Sequence, residues 1–297
     1  MPKLPSQKRL LLTGASGFLG WNICRHTPKE WEIFGVVYSH PLSLPGANII
    51  QTDLRKDKSV KQLFETVRPQ AVMHMAAVSD PNYCQLHREE TRAINVEASL
   101  RMAGLSADYG IPCLFTSSDL VFDGNHAPYS EEDPPDPINH YGEQKTLAEA
   151  GMRRRYPQTI ICRLPLMFGE SGPVAQSFLQ PMLQSIREGR DLSLFVDEFR
   201  TPVSGKTAAQ GLFLALNHTG EIIHLGGKER ISRYGFGLML KDSLISLEVK
   251  LIPCSQKDSS MAAPRPADVS LNSAKAFSLG YDPPPLLTAL NDSLGLK

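Results

Sequence analysis

The feature that most constrains the fold is a glycine-rich loop near the start of the chain, lying between two segments of different periodicity. The loop reads Thr13-Gly14-Ala15-Ser16-Gly17-Phe18-Leu19-Gly20. Residues 9–13 form an apolar run typical of a buried strand, and residues 17–26 have the spacing of a helix. Glycines in this context are typical of a loop that binds a dinucleotide. The segment therefore predicts a dinucleotide-binding α/β unit.

Each glycine of the loop has a separate predicted role. Gly14 permits a tight turn, and Gly17 lets backbone N–H groups approach a pyrophosphate at the helix N-terminus. Gly20 allows the helix to pack closely on the strand. The other residues of the loop that we expect to contact the cofactor are Ser16, Phe18 and Leu19.

Strand-like and helix-like segments alternate through the first half of the chain. The predicted strands are residues 9–13, 31–38, 48–51, 70–74, 112–116 and 159–162, and the predicted helices are residues 17–26, 57–67, 89–109 and 141–155. Such alternation predicts a Rossmann-type, doubly wound parallel sheet.

The second half is less regular and is expected to add a smaller lobe. Residues 175–188, 205–217, 234–244 and 285–294 have helical spacing, and residues 221–225 look like a strand. We expect residues 1–165 and about 200–225 to form the NAD(P)-binding domain. Residues of about 166–199 and 226–297 are expected to form a C-terminal substrate-binding lobe.

Composition excludes several classes of function. Lys+Arg and Asp+Glu both number 31, so the chain carries no basic field for nucleic acid or an anionic membrane. No run of 18 apolar residues occurs, and the N-terminus reads as a first strand, which predicts a cytoplasmic protein. The five cysteines are scattered without metal-ligand spacing, so no metal site is predicted.

Tyr141 and Lys145 form a candidate proton donor. Residues four apart share one face of a helix. A nearby ammonium favours the phenolate, which brings a phenol of pKa about 10 closer to neutral pH. Such a pair can protonate a carbonyl oxygen that receives a hydride, and both residues are also expected to contact the cofactor. Combined with the glycine loop, the pair predicts a dehydrogenase.

The end of the second predicted strand bears on the choice of cofactor. An acidic residue that would bind the ribose hydroxyls is absent from Val37-Tyr38-Ser39-His40. Ser39 and His40 are expected to donate to a 2′-phosphate, which favours NADP(H) over NAD(H). Asp53, past the third strand, is expected to accept from the adenine amino group, and Leu54 to line the same site. A carboxylate of a helix N-cap region or of a loop is the alternative for Asp53.

Polar and small residues follow the fourth and fifth strands. Ala76 and Ala77 are small enough for the cofactor to lie against the backbone. Ser118 is expected to hydrogen-bond the substrate carbonyl beside Tyr141, and Asp119 to hold a substrate hydroxyl. Asn95 is a candidate to hold a relay water behind Lys145, and the alternative is a polar residue on a helix surface.

Several motifs together resemble the extended short-chain dehydrogenase/reductases, and within them the dTDP-4-dehydrorhamnose reductase family. The motifs are TGASGFLG, HMAA, TSSDLVFDG, YSEEDPPDPINHYGEQK and APRPADVSL, which occur in the expected order over nearly the whole chain. The resemblance implies a catalytic triad of Ser118, where threonine is usual, Tyr141 and Lys145. It also implies that Arg265 lies near a nucleotide-sugar diphosphate and that Arg200 lines the cleft.

The chain departs from the family pattern in two places. Leu164-Pro165-Leu166 replaces a threonine and an aromatic residue after Arg163, and the segment from Val78 to Asn82 differs from the usual substrate-facing sequence. Asp80 in that segment is nevertheless expected to contact the substrate. Both departures concern the identity of the sugar more than the chemistry.

The predicted function is NADPH-dependent reduction of a 4-keto nucleotide-sugar, and the resemblance also implies a homodimer. Three alternatives stay open: an epimerase or dehydratase that retains NAD, a reductase of an unrelated ketone, and a regulatory subunit that binds NADP without turnover. A sister branch of the family serves as such a subunit of a methionine adenosyltransferase.

Overall fold

A central parallel sheet organises the first three quarters of the chain, from residue 8 to residue 224. The computed structural model describes residues 7–39, 43–244 and 249–296. Seven strands pair in the order β11-β6-β5-β4-β1-β2-β3, all of them parallel. These strands are β1 (Lys8–Thr13), β2 (Trp31–Val37), β3 (Ala47–Gln51), β4 (Ala71–His74), β5 (Cys113–Ser118), β6 (Ile160–Leu164) and β11 (Ile222–His224).

Helices cover both faces of this sheet. Successive side chains of a strand point to opposite faces, so Leu10 and Leu12 of β1 pack into one apolar core and Leu11 into another. The predicted Rossmann-type, doubly wound sheet is therefore confirmed. The helices of the first half are α1 (Phe18–Arg25), α2 (Asp57–Val67), α3 (Pro81–Leu86), α4 (Arg88–Arg92), α5 (Ala98–Tyr109) and α6 (His140–Arg155).

The strand order reverses between β1 and β4, which are neighbours although β2 and β3 intervene in the chain. Ligands of such sheets bind at this switch point, beyond the carboxyl ends of the strands. The loops after β1, β4 and β5 therefore define the place to look for a site.

Part of the second half has an apolar core of its own, whereas its helices over residues 205–215 and 274–278 pack into the core of the central sheet. Phe168, Leu179, Phe236, Leu286 and Leu290 belong to this third apolar cluster. The short strands are β7 (Met167–Phe168), β8 (Leu192–Phe195), β9 (Phe199–Arg200), β10 (Val203–Ser204), β12 (Ile231–Ser232) and β13 (Leu251–Cys254), and the helices are α7 (Leu179–Arg187), α8 (Gly205–Ala215), α9 (Arg233–Ser243), α10 (Ala274–Ser278) and α11 (Leu286–Leu294). The division into domain and lobe stays a prediction.

Two predicted helices differ from the structure by more than a residue or two, one at its start and one in its interior. The helix predicted over residues 175–188 begins at Leu179, because Ser177 and Gln180 hydrogen-bond each other ahead of it. The helix predicted over residues 89–109 is composite: α4 and α5 are joined by a π-helical turn, Ala93–Glu97. Hydrophobic periodicity does not reveal one inserted residue within a continuous apolar face.

Within the described parts of the chain, none of the helices is both long enough and apolar enough to cross a membrane.

Candidate active site

A cleft of about 690 Å³ opens at the carboxyl ends of β1, β4 and β5. It brings together most of the residues singled out from the sequence. Those that line it are Gly14, Ser16, Gly17, Phe18, Leu19, Gly20, Asp53, Leu54, Ala76, Ala77, Ser118, Asp119, Tyr141, Lys145, Arg200 and Arg265.

The glycine loop has the close contacts that its sequence predicts. Gly14 has φ +73°, and a Cβ there would lie 2.9 Å from the backbone N of Ala76. A Cβ on Gly20 would lie 2.3 Å from the carbonyl oxygen of Gly14, so the helix can approach the strand only with glycine. Gly17 precedes α1 without a side-chain cap, which leaves the first N–H groups of the helix for a ligand. This cradle fits the pyrophosphate of a dinucleotide.

Helix α6 carries Tyr141 and Lys145 into the other side of the cleft. Asn139 caps the helix, since its Oδ1 accepts from Gly142 N at 2.9 Å. Both side chains are buried. Lys145 Nζ donates to the Thr116 carbonyl at 2.8 Å and lies 5.8 Å from the centroid of the Tyr141 ring. The hydrogen bond to the end of β5 fixes the ammonium beside the phenol.

Burial determines the protonation of this pair. Desolvation lowers the pKa of Lys145 to about 8, partly offset by the negative charge of Glu149. Desolvation raises the pKa of Tyr141 above its usual value of 10, and electrostatic interaction with Cys84 and Asp119 adds to this. The sequence predicts that Lys145 lowers the pKa of the phenol, but the surroundings of Tyr141 in the structure raise it. The phenol is therefore fully protonated at neutral pH, as a proton donor must be.

Ser118 ends β5 next to the phenol and is joined to a buried carboxylate. Its Oγ donates to Asp119 Oδ1 at 3.0 Å and accepts from Leu120 N at 3.1 Å. Burial raises the pKa of Asp119 to about 6 in spite of Arg200, whose Nε lies 3.4 Å from Oδ2. The serine proton is therefore directed at Asp119 in this structure.

Asn95 lies behind the cleft, in the π-helical turn. Its side chain is buried and bonded at both ends to protein atoms. Oδ1 accepts from Val78 N at 2.8 Å, and Nδ2 donates to Val78 O at 3.0 Å and to Gln144 Oε1 at 2.8 Å. Asn95 thus fastens the segment after β4 to helix α6. Both amide protons are committed, and its role in a proton relay stays a prediction.

Sequence reasoning missed Arg55 at the adenosine end of the cleft. Its guanidinium lies 4.9 Å from the centroid of the Tyr38 ring and donates to Tyr38 Oη at 2.6 Å. Nε and Nη2 also donate to the two oxygens of Asp53, at 2.9 and 3.0 Å, and these bonds lower the pKa of Asp53. Ser39 is exposed next to Tyr38, and His40 lies outside the described residues. The pairing of β2 with β3, which brings Arg55 to Tyr38, was the available signal.

The opposite end of the cleft is rich in guanidinium groups. Arg200 and the unpredicted Arg233 approach the Glu198 carboxylate, at 3.5 and 3.8 Å, and Arg265 lines the same wall. Arg233 Nη1 and Arg265 Nη1 are buried without a hydrogen-bond partner in the described structure. Unpaired buried donors of this kind suit an anionic ligand.

Asp80 is the predicted substrate contact that the structure does not bring into the cleft. Its Oδ1 accepts from Asn82 N at 2.8 Å and Tyr83 N at 3.3 Å, so the carboxylate caps α3. The neighbouring Ser79 and Pro81 line the cleft instead. Among the residues that the structure describes, no group of three or more His, Cys, Asp or Glu side chains is arranged to hold a metal ion.

Comparison with known proteins finds a family match over nearly the whole chain. A family model described as the RmlD substrate binding domain matches residues 8–295. The methionine adenosyltransferase 2 subunit beta of Danio rerio is 26% identical over 298 residues, covering 97% of this chain and 90% of that protein.

Solved structures share the fold over almost the full length. The dTDP-4-dehydrorhamnose reductase of Bacillus anthracis, in complex with NADP, has a TM-score of 0.86 at 21% identity, covering 97% of this chain and 99% of that one. The UDP-glucose 4-epimerase of Thermotoga maritima, with UDP-glucose, has a TM-score of 0.83 at 20% identity, covering 97% of each chain. With the family match over nearly every residue, the chain belongs to the RmlD substrate binding domain family of the extended short-chain dehydrogenase/reductases.

Proposed function

We propose that this protein is a reductase that uses NADPH to reduce the 4-keto group of a nucleotide-linked sugar. The observation that carries the proposal is that Tyr141, Lys145 and Ser118 share one cleft with the glycine loop. A cofactor on that loop and a carbonyl beside Tyr141 would therefore meet. Arg200, Arg233 and Arg265 would supply the guanidinium groups for the diphosphate.

The protein's own residues account for the proton chemistry. A bound dinucleotide supplies the hydride. Tyr141, fully protonated at neutral pH, donates its proton to the oxygen of the carbonyl as that oxygen becomes an alkoxide. The Lys145 ammonium stabilises the tyrosinate left behind. Ser118 lines the cleft with Tyr141 and is oriented by Asp119, which accepts its proton.

The preference for NADPH is supported by Arg55. The end of β2 itself carries no acidic residue, and Arg55 stacks on Tyr38 at that edge of the cleft and neutralises the nearby Asp53 carboxylate. Nε and Nη2 of Arg55 are engaged by Asp53 and Tyr38, so Nη1 would donate to the phosphate. We expect Arg55→Ala to lower kcat/KM with NADPH about tenfold and to leave the value with NADH nearly unchanged.

Steady-state rates with both cofactors measure that preference. Lys56→Ala is the matched control, since Lys56 is the exposed neighbour of Arg55 and is not among the residues lining the cleft. An Arg55→Ala protein that keeps the wild-type ratio of the two kcat/KM values would contradict the assignment.

The reductase proposal is tested by oxidation of NADPH with dTDP-4-dehydrorhamnose, followed by absorbance. Tyr141→Phe removes one hydroxyl from the cleft and should lower kcat at least 100-fold. Tyr156→Phe removes one hydroxyl at the far end of the same helix, where it bonds Gln158, and should leave kcat unchanged. Equal turnover by the two variants would refute the role of Tyr141.

A second candidate function is favoured by the relatives named methionine adenosyltransferase 2 subunit beta. A regulatory subunit would bind NADPH but consume none with any keto-sugar. An epimerase or dehydratase would carry tightly held NAD through purification, and a reductase of another ketone would oxidise NADPH only with that ketone. The same absorbance assay, run with a panel of nucleotide-sugars and simple ketones, separates these outcomes.

A further inference from the structure

A buried imidazole outside the cleft lies between the glycine loop and the residues that support helix α6. His74 ends β4, is fully buried and does not line the cleft. Its Nδ1 lies 2.7 Å from Thr13 Oγ1, and its Nε2 lies 2.9 Å from Ser99 Oγ. Thr13 begins the glycine loop, and Ser99 lies on α5 one turn after Asn95. The ring therefore bridges the cofactor side of the cleft and the support of helix α6.

Counting the protons on Ser99, His74 and Thr13 fixes which group donates in each of these hydrogen bonds. Ser99 has one hydroxyl proton and donates it to the Asn95 carbonyl at 2.9 Å. Ser99 Oγ must then accept from His74, which places the ring proton on Nε2. Burial, with the nearby charge of Lys145, lowers the pKa of His74 to about 3, so the ring is neutral. Nδ1 is therefore an acceptor, and the Thr13 hydroxyl donates to it.

The Thr13 hydroxyl in turn holds the floor of the cleft. Its oxygen accepts from Met75 N and from Ala76 N, both at 3.1 Å. Met75 and Ala76 line the cleft directly opposite Gly14, whose missing Cβ allows the contact. With one proton given and two accepted, the hydroxyl has used its whole capacity. The orientation of the Thr13 hydroxyl is fixed by His74 Nδ1, which accepts its proton.

We infer that His74 is a positioning residue: it fixes the Thr13 hydroxyl that holds the cofactor-binding floor and, through its other nitrogen, the Asn95 carbonyl. This inference rests on the proposed dinucleotide site. Loss of the hydrogen bond at each of the two ring nitrogens should have a different effect. Loss of the Thr13 end leaves two backbone donors at the floor free to move, whereas loss of the Asn95 end affects the support of helix α6.

Two substitutions separate the two ends. His74→Asn places an oxygen where Nδ1 lies and keeps an acceptor for Thr13, but it loses the donor to Ser99. His74→Gln places an amide where Nε2 lies and keeps that donor, but it loses the acceptor. We expect NADPH to bind about tenfold more weakly to His74→Gln, and within about threefold of wild type to His74→Asn. His74→Asn should lower kcat more than it raises KM for NADPH.

Thr13 supplies a second matched pair. Thr13→Val keeps the shape and removes the hydroxyl, so NADPH binding should weaken about tenfold, whereas Thr13→Ser keeps the hydroxyl and should restore it. Binding is followed by the fluorescence of NADPH and needs no turnover. Wild-type affinity in both His74→Gln and Thr13→Val would overturn the inference. Failure of the unaltered protein to bind NADPH would overturn the proposed dinucleotide site, and the inference with it.

An NMR measurement on the unaltered protein tests the hydrogen bonds of His74 even where a variant fails to fold. The ¹⁵N spectrum of the imidazoles should contain a ring protonated on Nε2 alone, unchanged between pH 5.5 and 8. The His74 signal is assigned as the one lost in His74→Asn. If that protein is unfolded, it is assigned from the contacts of the ring with the residues around Ser99. A proton on Nδ1, or a titration within that range, would overturn the inference.

Discussion

At the scale of single residues, the ammonium of Lys145 sets the upper pH limit of the proposed reaction. Desolvation lowers its pKa from 10.5 to about 8, so the charged form prevails below pH 8 and is lost above it. The charge is needed to stabilise the tyrosinate that Tyr141 leaves on donating its proton. We therefore expect kcat/KM to fall about tenfold for each pH unit above 8.

Rates measured from pH 6 to 10 check this limit. Lys145→Met should lower kcat/KM at pH 7 at least 100-fold and remove the alkaline limb, because no ammonium is left to titrate. Lys206→Met, an exposed lysine on α8, is the control and should reproduce the wild-type profile. A wild-type profile that stays flat up to pH 10 would exclude Lys145 from the reaction.

At the scale of elements, the amide of Asn139 couples helix α6 to the loop that carries Arg265. Oδ1 caps the helix at Gly142 N, and Nδ2 donates to the Pro264 carbonyl at 3.2 Å. Asn139→Ala removes both the helix cap and the bond to Pro264. It should lower the free energy of unfolding by about 1–2 kcal/mol and also raise KM for the keto-sugar. Asn139→Asp keeps a capping oxygen and should preserve stability, but raise KM for the keto-sugar about three- to tenfold.

Urea unfolding and steady-state kinetics on the two variants separate the capping bond from the loop bond. If Asn139→Asp is as unstable as Asn139→Ala, the cap is not the stabilising contact. If its KM matches the wild type, the bond to Pro264 does not position Arg265.

The elements also show how far the sequence predicts the site. Residues within one strand, loop or helix, such as Gly14 or Tyr141 with Lys145, are found from local spacing because their geometry is local. Arg55 and Arg233 were missed because each meets its partners only after distant segments pair: β2 with β3, and β9 with β12. The short strands of the second half carry too few residues for periodicity to register.

At the scale of the whole molecule, two buried histidines make stability depend on pH. Burial lowers the pKa of both His74 and His224 to about 3, so both are neutral in the folded protein and take up protons on unfolding below about pH 6.5. Unfolded chains then bind more protons than folded ones, and the free energy of unfolding falls as the pH falls through 6.5. Each histidine contributes about 1.4 kcal/mol per pH unit.

Asp119 acts in the opposite direction over part of this range. Its folded pKa of about 6 lies above the usual 3.8, so the folded protein gains a proton first as the pH falls through 6. Between pH 6 and 4 that gain offsets the contribution of about one histidine to the free energy of unfolding. The net fall in the free energy of unfolding from pH 7.5 to pH 5 is about 3 kcal/mol. Urea unfolding at pH 7.5, 6 and 5 measures it. His224→Asn should reduce the pH dependence, whereas the exposed His87→Asn should not; an unfolding free energy that is constant over this range would show that the buried imidazoles do not govern acid stability.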